Sequence, residues 1–268
     1  MLRPRIIPCL LVHNNGLVKT VNFKDPKYVG DPINAVKIFN EKEVDELLVL
    51  DIDATRENRS PNFKLIENLA IECRMPFCYG GGVKNIKDVK EIINLGAEKV
   101  AVSSIAIENL DIINDMSRAV GAQSIVIVLD VLKIGLFGDY EICLKNGLIK
   151  TGIKLKDFLQ KINNGIDFGE VVINSIDQDG RMLGYDLKLI DSVREITDKP
   201  LSVIGGAGSL DDIKNLITRY GIIGAAAGSL FVFKGKYRAV LINYPNKEEK
   251  RLLYNLPPPT PNSDQTLL

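Results

Sequence analysis

The sequence predicts a single (β/α)8 barrel built from two similar half-barrels. Three observations carry that expectation. Its 268 residues suit one barrel better than two small domains. Eight short apolar or β-branched runs alternate with amphipathic stretches. The pattern of the first half then returns in the second.

The strand candidates are residues 5–12, 46–51, 76–79, 99–102, 124–130, 170–174, 200–204 and 222–227. Several are apolar on both faces, as a parallel strand covered on both sides must be. Between them, stretches such as 84–95 and 186–196 carry helical periodicity. An open doubly wound sheet is the rival fold, but it wants a G-x-G-x-x-G turn after the first strand, and none is present. The repeat favours closure. Pro76-Phe-Cys-Tyr-Gly-Gly-Gly leads through a helix to Lys99-Val-Ala-Val-Ser-Ser, and Pro200-Leu-Ser-Val-Ile-Gly-Gly leads through a helix to Gly224-Ala-Ala-Ala-Gly-Ser. Leu50-Asp-Ile-Asp echoes Asn174-Ser-Ile-Asp, and Cys9-Leu-Leu-Val echoes Val128-Leu-Asp-Val less distinctly. Two segments fall outside the repeat. Residues 131–150, with Gly135, Gly138 and Gly147, read as a small hairpin on the catalytic face. The barrel is expected to span 1–243, with a polar, then Pro-rich extension over 244–268 that reads as partly disordered.

Composition narrows the function classes. Lys+Arg and Asp+Glu number 34 each, so no global charge draws the chain to nucleic acid or anionic membrane. The longest uncharged stretch, 221–233, is too short to span a bilayer, and the N-terminus lacks a cleavable signal pattern. Cys9, Cys73, Cys78 and Cys143 match no zinc spacing and read as free thiols in a reducing compartment. A soluble cytoplasmic protein is expected. No metal cluster or hydrolytic triad is seen, so no metal or cofactor is expected.

The chemistry-bearing residues gather at strand ends. Gly81 and Gly82 follow the third strand, and Ser103 and Ser104 end the fourth. Gly205 and Gly206 follow the seventh, and Gly228 and Ser229 end the eighth. Glycine lets backbone N–H groups approach a phosphate, and a following helix N-terminus favours negative charge. One such turn alone would read as a tight turn. Two at equivalent places point to two phosphate sites across one mouth, and so to a small substrate phosphorylated at both ends. Asp51, Asp53, Asp130, Asp177 and Asp179 also lie at or just past strand C-termini, where a carboxylate can exchange protons or brace a loop. Asp130 ends the apolar run IVIVL, and its repeat mate is Leu11. Lys19 could meet an anion or be a surface lysine, and His13, the only histidine, reads as a surface residue. Arg5, Glu46, Lys99 and Glu170 begin or precede the first, second, fourth and sixth strands, where they could close the barrel bottom as ion pairs; spacing alone favours a structural network.

The motifs RIIPCL, GLVKTVNF, DELLVLDIDAT, PFCYGGGVKN, GAEKVAVSS, SIDQDG…GYD and IGGAG, in this order over about residues 1–233, closely resemble the cyclase subunit of imidazole glycerol phosphate synthase. The resemblance implies a lyase-type barrel that receives ammonia from a separate glutaminase at its N-terminal face, forming a heterodimer. It implies a doubly phosphorylated nucleotide substrate of histidine biosynthesis. It assigns phosphate binding to Gly81, Gly82, Ser103, Ser104, Gly205, Gly206, Gly228 and Ser229, substrate contact to Lys19, and an ionic ammonia gate to Arg5, Glu46, Lys99 and Glu170. Asp51, Asp53 and Asp179 are added as candidate substrate-binding residues.

One departure matters more than the matches. The family uses two aspartates, of which Asp130 matches the second, while Leu11 stands where the first belongs. Around it VHNNG departs from the usual pattern, and Asp53 replaces a small hydroxyl residue. This combination, with the ending RAVLINYP, resembles a divergent branch associated with bacterial surface sugars, in which ammonia serves sugar amidation with a third, ATP-using subunit. A histidine-pathway cyclase with its acid relocated to Asp51 or Asp53 is the alternative. A non-catalytic ammonia-conducting scaffold is the second alternative.

Overall fold

The computed structural model describes residues 3–135 and 138–255. Eight parallel strands close on themselves: β1 (Arg5–His13), β4 (Leu47–Asp51), β5 (Phe77–Gly80), β6 (Lys99–Val102), β7 (Ile125–Ile134), β10 (Glu170–Ser175), β11 (Leu201–Ile204) and β12 (Gly224–Ala227). β12 pairs back with β1 through Arg5↔Gly224 to Pro8↔Ala227, which completes the (β/α)8 barrel. Apart from β7, which runs four residues past its expected end, strand ends differ from the sequence expectation by at most two residues, the usual fraying margin.

The intervening strands are antiparallel additions on the rim where the barrel strands end. β2 (Gly16–Val21) and β3 (Lys24–Gly30) form a hairpin on the end of β1, which apolar periodicity did not signal. The insertion expected as a hairpin over 131–150 is larger: β7 runs on to Ile134 and pairs with β8 (Asp139–Leu144), which pairs with β9 (Ile149–Lys154).

The outer helices are α1 (Pro32–Glu41), α2 (Phe63–Glu72), α3 (Ile86–Asn94), α4 (Ser104–Glu108), α5 (Asp111–Val120), α6 (Leu155–Asn163), α7 (Leu187–Arg194), α8 (Leu210–Tyr220), α9 (Ser229–Val232) and α10 (Lys247–Leu253). Most begin at a polar cap that satisfies an orphan amide: Asn85 accepts from Asp88 N, and Ser209 with Asp212 and Asn246 with Glu249 form reciprocal capping boxes. Their apolar faces, for example Val36, Phe39, Ile66, Leu69, Val89 and Ile92, meet outward side chains such as Leu47 and Val49 in one core. Each fully buried side chain of this size contributes roughly 1.5–3 kcal/mol.

Tyr244 and Leu253, past the expected boundary at residue 243, belong to that core. The Tyr244 hydroxyl donates to Ile6 O at 2.9 Å and accepts from Asp45 N at 3.2 Å, while Lys250 Nζ donates to Glu43 O at 2.8 Å. α10 packs against α8 and completes the helical ring. The Pro-rich part of the expected extension, residues 256–268, lies outside the described residues.

Alternate residues of each barrel strand face inward. They form a second, separate cluster: Ile7, Cys9, Leu48, Cys78, Ala101, Val126, Val128, Val172, Ile204 and Ala226, with Leu11 and Leu50 against its upper end. An apolar lumen therefore separates the two ends of the barrel. Cys9, Cys78 and Cys143 are buried and free, and Cys73 is half-buried and free. Among the described residues no helix is long and apolar enough to cross a membrane.

Candidate active site

A cavity of about 640 Å3 opens at the C-terminal ends of the barrel strands. It brings together nearly every residue that the sequence placed at this mouth. Gly81, Gly82, Ser103 and Ser104 line one side, and Gly205, Gly206, Gly228 and Ser229 the other; Lys19, Asp51, Asp130 and Asp179 also reach it. The glycines have steric reasons to be there. Gly206 has φ +103°, and a Cβ on it would lie 2.0 Å from Gly184 O. Gly206→Ala is therefore expected to lower stability by about 2–4 kcal/mol in chemical denaturation, because the strained turn and the clash add. α4 and α9 both start at this cavity without a side-chain cap, unlike α1, α2, α3, α7, α8 and α10. Their first-turn amides are left to water or a ligand.

Asp130 ends the barrel portion of β7 and accepts a 2.9 Å hydrogen bond on Oδ1 from Asn174 Nδ2. Burial pushes its carboxyl up to about 7; the Asn174 bond opposes this and the Asp179 charge adds to it. The residue is half-buried in the cavity wall. A carboxyl near 7 suits a general acid or base. Asn174 escaped the sequence reading because its repeat mate, Leu50, is apolar. Asn174 Oδ1 and Ser175 Oγ are buried with no hydrogen-bond partner among the described residues.

Lys19 is not a surface lysine. It is 6% exposed, its Nζ donates to Cys9 O at 2.5 Å, and a Cβ on Gly228 would lie 2.6 Å from that nitrogen. Burial lowers its pKa. Asp179 lines the cavity but is engaged by its neighbours: Thr20 Oγ1 donates to Oδ2 at 2.6 Å and Phe23 N at 3.0 Å, which ties the β2–β3 hairpin to the 175–184 segment. Asp51 is likewise occupied, with Oδ1 accepting from Asp53 N and Ala54 N at 3.0 and 3.1 Å.

Asp53, expected among the substrate-binding residues, does not line the cavity. Its carboxylate holds His13 Nδ1 at 2.8 Å and Asn14 N at 2.9 Å, so it braces the turn after β1. His13, read from sequence as a surface residue, is half of this pair. Asp51 thus reaches the cavity with one oxygen occupied by backbone amides, and Asp53 does not reach it.

At the opposite end of the lumen Arg5, Glu46, Lys99 and Glu170 form a closed ring. Arg5 bonds Glu46 at 2.5 Å and Glu170 at 2.7 Å, and Lys99 bonds Glu46 at 2.8 Å and Glu170 at 2.9 Å. Burial pushes the Glu170 carboxyl up, but the Arg5 and Lys99 charges, with hydrogen bonds from Arg5 and Ser202, outweigh it and hold the group at about 2. Ser202 is a fifth member that the sequence reading missed. Its place two residues before inward-facing Ile204 is the signal that could have found it.

A closed parallel barrel with its cavity at the strand C-termini and a polar ring across the other mouth defines a (β/α)8 enzyme subunit. The family model described as "Histidine biosynthesis protein" matches residues 5–238. The chain belongs to that family, and within it to the HisF type of imidazole glycerol phosphate synthase subunit. It is 54% identical over 95% of its length to the whole of a Leptospira borgpetersenii protein named "Putative imidazole glycerol phosphate synthase subunit HisF". It is 53% identical over 94% of its length to 96% of a Vibrio vulnificus protein named "Putative imidazole glycerol phosphate synthase subunit hisF3". It is 36% identical over 86% of its length to 91% of the Alkaliphilus metalliredigens "Imidazole glycerol phosphate synthase subunit HisF".

Proposed function

We propose that this chain is the synthase subunit of a glutamine-dependent amidotransferase, taking ammonia from a separate glutaminase through the barrel core and delivering it to a surface-sugar precursor rather than to the histidine-pathway nucleotide. The observation that carries the proposal is Leu11. It packs at the upper end of the lumen, where the family places its first aspartate; nearby, Asp53 is held by His13 and the Asn14 amide, and Asp51 Oδ1 by two backbone amides. One acid–base residue is typically worth 10²–10⁴-fold in rate. The conducting parts remain: the ring, the apolar lumen and the two Gly/Ser turns, which suit anionic groups at both ends of an acceptor. The glutaminase docks at the ring end, where ammonia must enter, and sugar amidation would need a third, ATP-using subunit.

The alternative, a histidine-pathway cyclase, keeps one favourable observation in Asp130, whose carboxyl lies near neutrality. Ammonia-dependent turnover of the histidine-pathway nucleotide separates the two. Wild type should run near background, and Leu11→Asp should gain about 10²-fold or more. Turnover by wild type at a cyclase's ordinary rate would overturn the sugar reading. Activation of the glutaminase with no turnover of any acceptor would leave a scaffold.

A further inference from the structure

The ring is closed but not symmetric. Glu170 accepts from four donor atoms: Arg5 Nη2 at 2.7 Å, Arg5 Nη1 at 3.3 Å, Lys99 Nζ at 2.9 Å and the Ser202 hydroxyl at 2.5 Å. Glu46 accepts from two, Arg5 Nη1 at 2.5 Å and Lys99 Nζ at 2.8 Å. Ser202 is 1% exposed, and its Oγ also lies 3.4 Å from Arg5 Nη2. The neighbouring strand makes room for it: a Cβ on Gly224 would lie 1.8 Å from Ser202 Oγ. Directly beyond the ring is a void of about 10 Å3, at most the size of one water, lined by Glu46, Glu170, Ser202 and Cys78 among others.

Opening the ring means breaking charge-assisted hydrogen bonds, and the count decides where it yields. Moving Glu170 breaks four. Moving Arg5 breaks three to Glu46 and Glu170 and loses the contact with Ser202. Moving Glu46 or Lys99 breaks two. We propose that Ser202 is a positioning residue that latches Glu170, and with it Arg5, to β11, so that the ring opens only on its Glu46–Lys99 side. Gly224 is the second part of the latch, since any side chain there displaces the hydroxyl. What passes the ring rests on the ammonia reading above; the latch does not, and its test reads the ring itself.

Cys78 is the reporter. It faces the void just inside the ring, while Cys9 lines the large cavity at the other end of the lumen and Cys143 lies on β8 outside the barrel strands. Burial holds the Cys78 thiol well above its usual range, so it reacts only when the ring admits water and reagent. The full-length chain is exposed to methyl methanethiosulfonate, and modification is timed at each cysteine by peptide mass. Cys78 in wild type should react slowly. Lys99→Ala should speed it by more than tenfold. Ser202→Ala should speed it by about tenfold, the worth of one charge-assisted hydrogen bond, with Cys9 and Cys143 unchanged. Ser202→Thr keeps a hydroxyl and should restore protection, and Gly224→Ala should reproduce Ser202→Ala. The latch is overturned if Cys78 is unaffected in Ser202→Ala, if it rises only in step with Cys9 and Cys143, or if Ser202→Thr behaves as Ser202→Ala. Faster labelling in Ser202→Ala but not in Lys99→Ala would place the moving side on Glu170 and overturn it equally.

Discussion

Asp130→Asn should act in opposite directions on activity and stability. In the Leu11→Asp background, ammonia-dependent turnover should fall by 10²–10⁴-fold, because one of the two aspartates proposed to exchange protons at the mouth is gone. The folded protein should meanwhile gain stability above neutral pH. Burial raises the Asp130 carboxyl from 3.8 to about 7, so the folded state binds its proton more tightly than the unfolded chain does. Stability of the wild type therefore declines as pH rises from about 4 through 7, and the cost is complete above 7. Asparagine keeps the shape and removes the ionisation. At pH 8 the variant should be more stable by about 1–3 kcal/mol, at roughly 1.4 kcal/mol per pKa unit reduced for water in the cavity. Near pH 4 the two proteins should unfold alike. Urea denaturation at both pH values checks this. Equal stability at pH 8 would mean that Asp130 is ionised and comfortable, and no acid–base role could then rest on its burial.

Glu170→Gln should cost about 3–5 kcal/mol at pH 7, because Arg5 and Lys99 would be left partly buried with one carboxylate between them. Here the pH dependence runs the other way. Arg5 and Lys99, overcoming burial, hold the Glu170 carboxyl at about 2 against an ordinary 4.5. Its stabilisation is fully present above pH 4.5 and is lost as pH falls through 4.5 toward 2. The difference between wild type and Glu170→Gln should therefore shrink across that window. A loss below about 1 kcal/mol at pH 7 would show that water screens the ring as it screens a surface pair. The ring would then be a poor barrier to anything.

The asymmetry between Glu170 and Glu46 shows where sequence reading stops. Arg5, Glu46, Lys99 and Glu170 were legible as four charges at the starts of four barrel strands, because a barrel strand's first inward residue faces one mouth. Ser202 was not. A serine in a strand signals nothing until β12 pairs beside β11 and sets Gly224 against it. The same holds for Asn174, which takes its meaning from pairing beside Asp130 across β7 and β10. Asp53 failed in the opposite sense: a carboxylate past a strand end was read as facing the mouth, but the turn after β1 offered it His13 and the Asn14 amide.

Periodicity, length and the internal repeat were enough for the barrel, for both Gly/Ser turns, and for the absence of a carboxylate at position 11, because these depend on residue type and on spacing along one strand. Which carboxylates are free, which lysine is buried and which hydroxyl holds the ring depend on contacts between strands far apart in the chain. Those contacts exist only once the sheet has closed, and burial then sets the proton affinity of every group inside it.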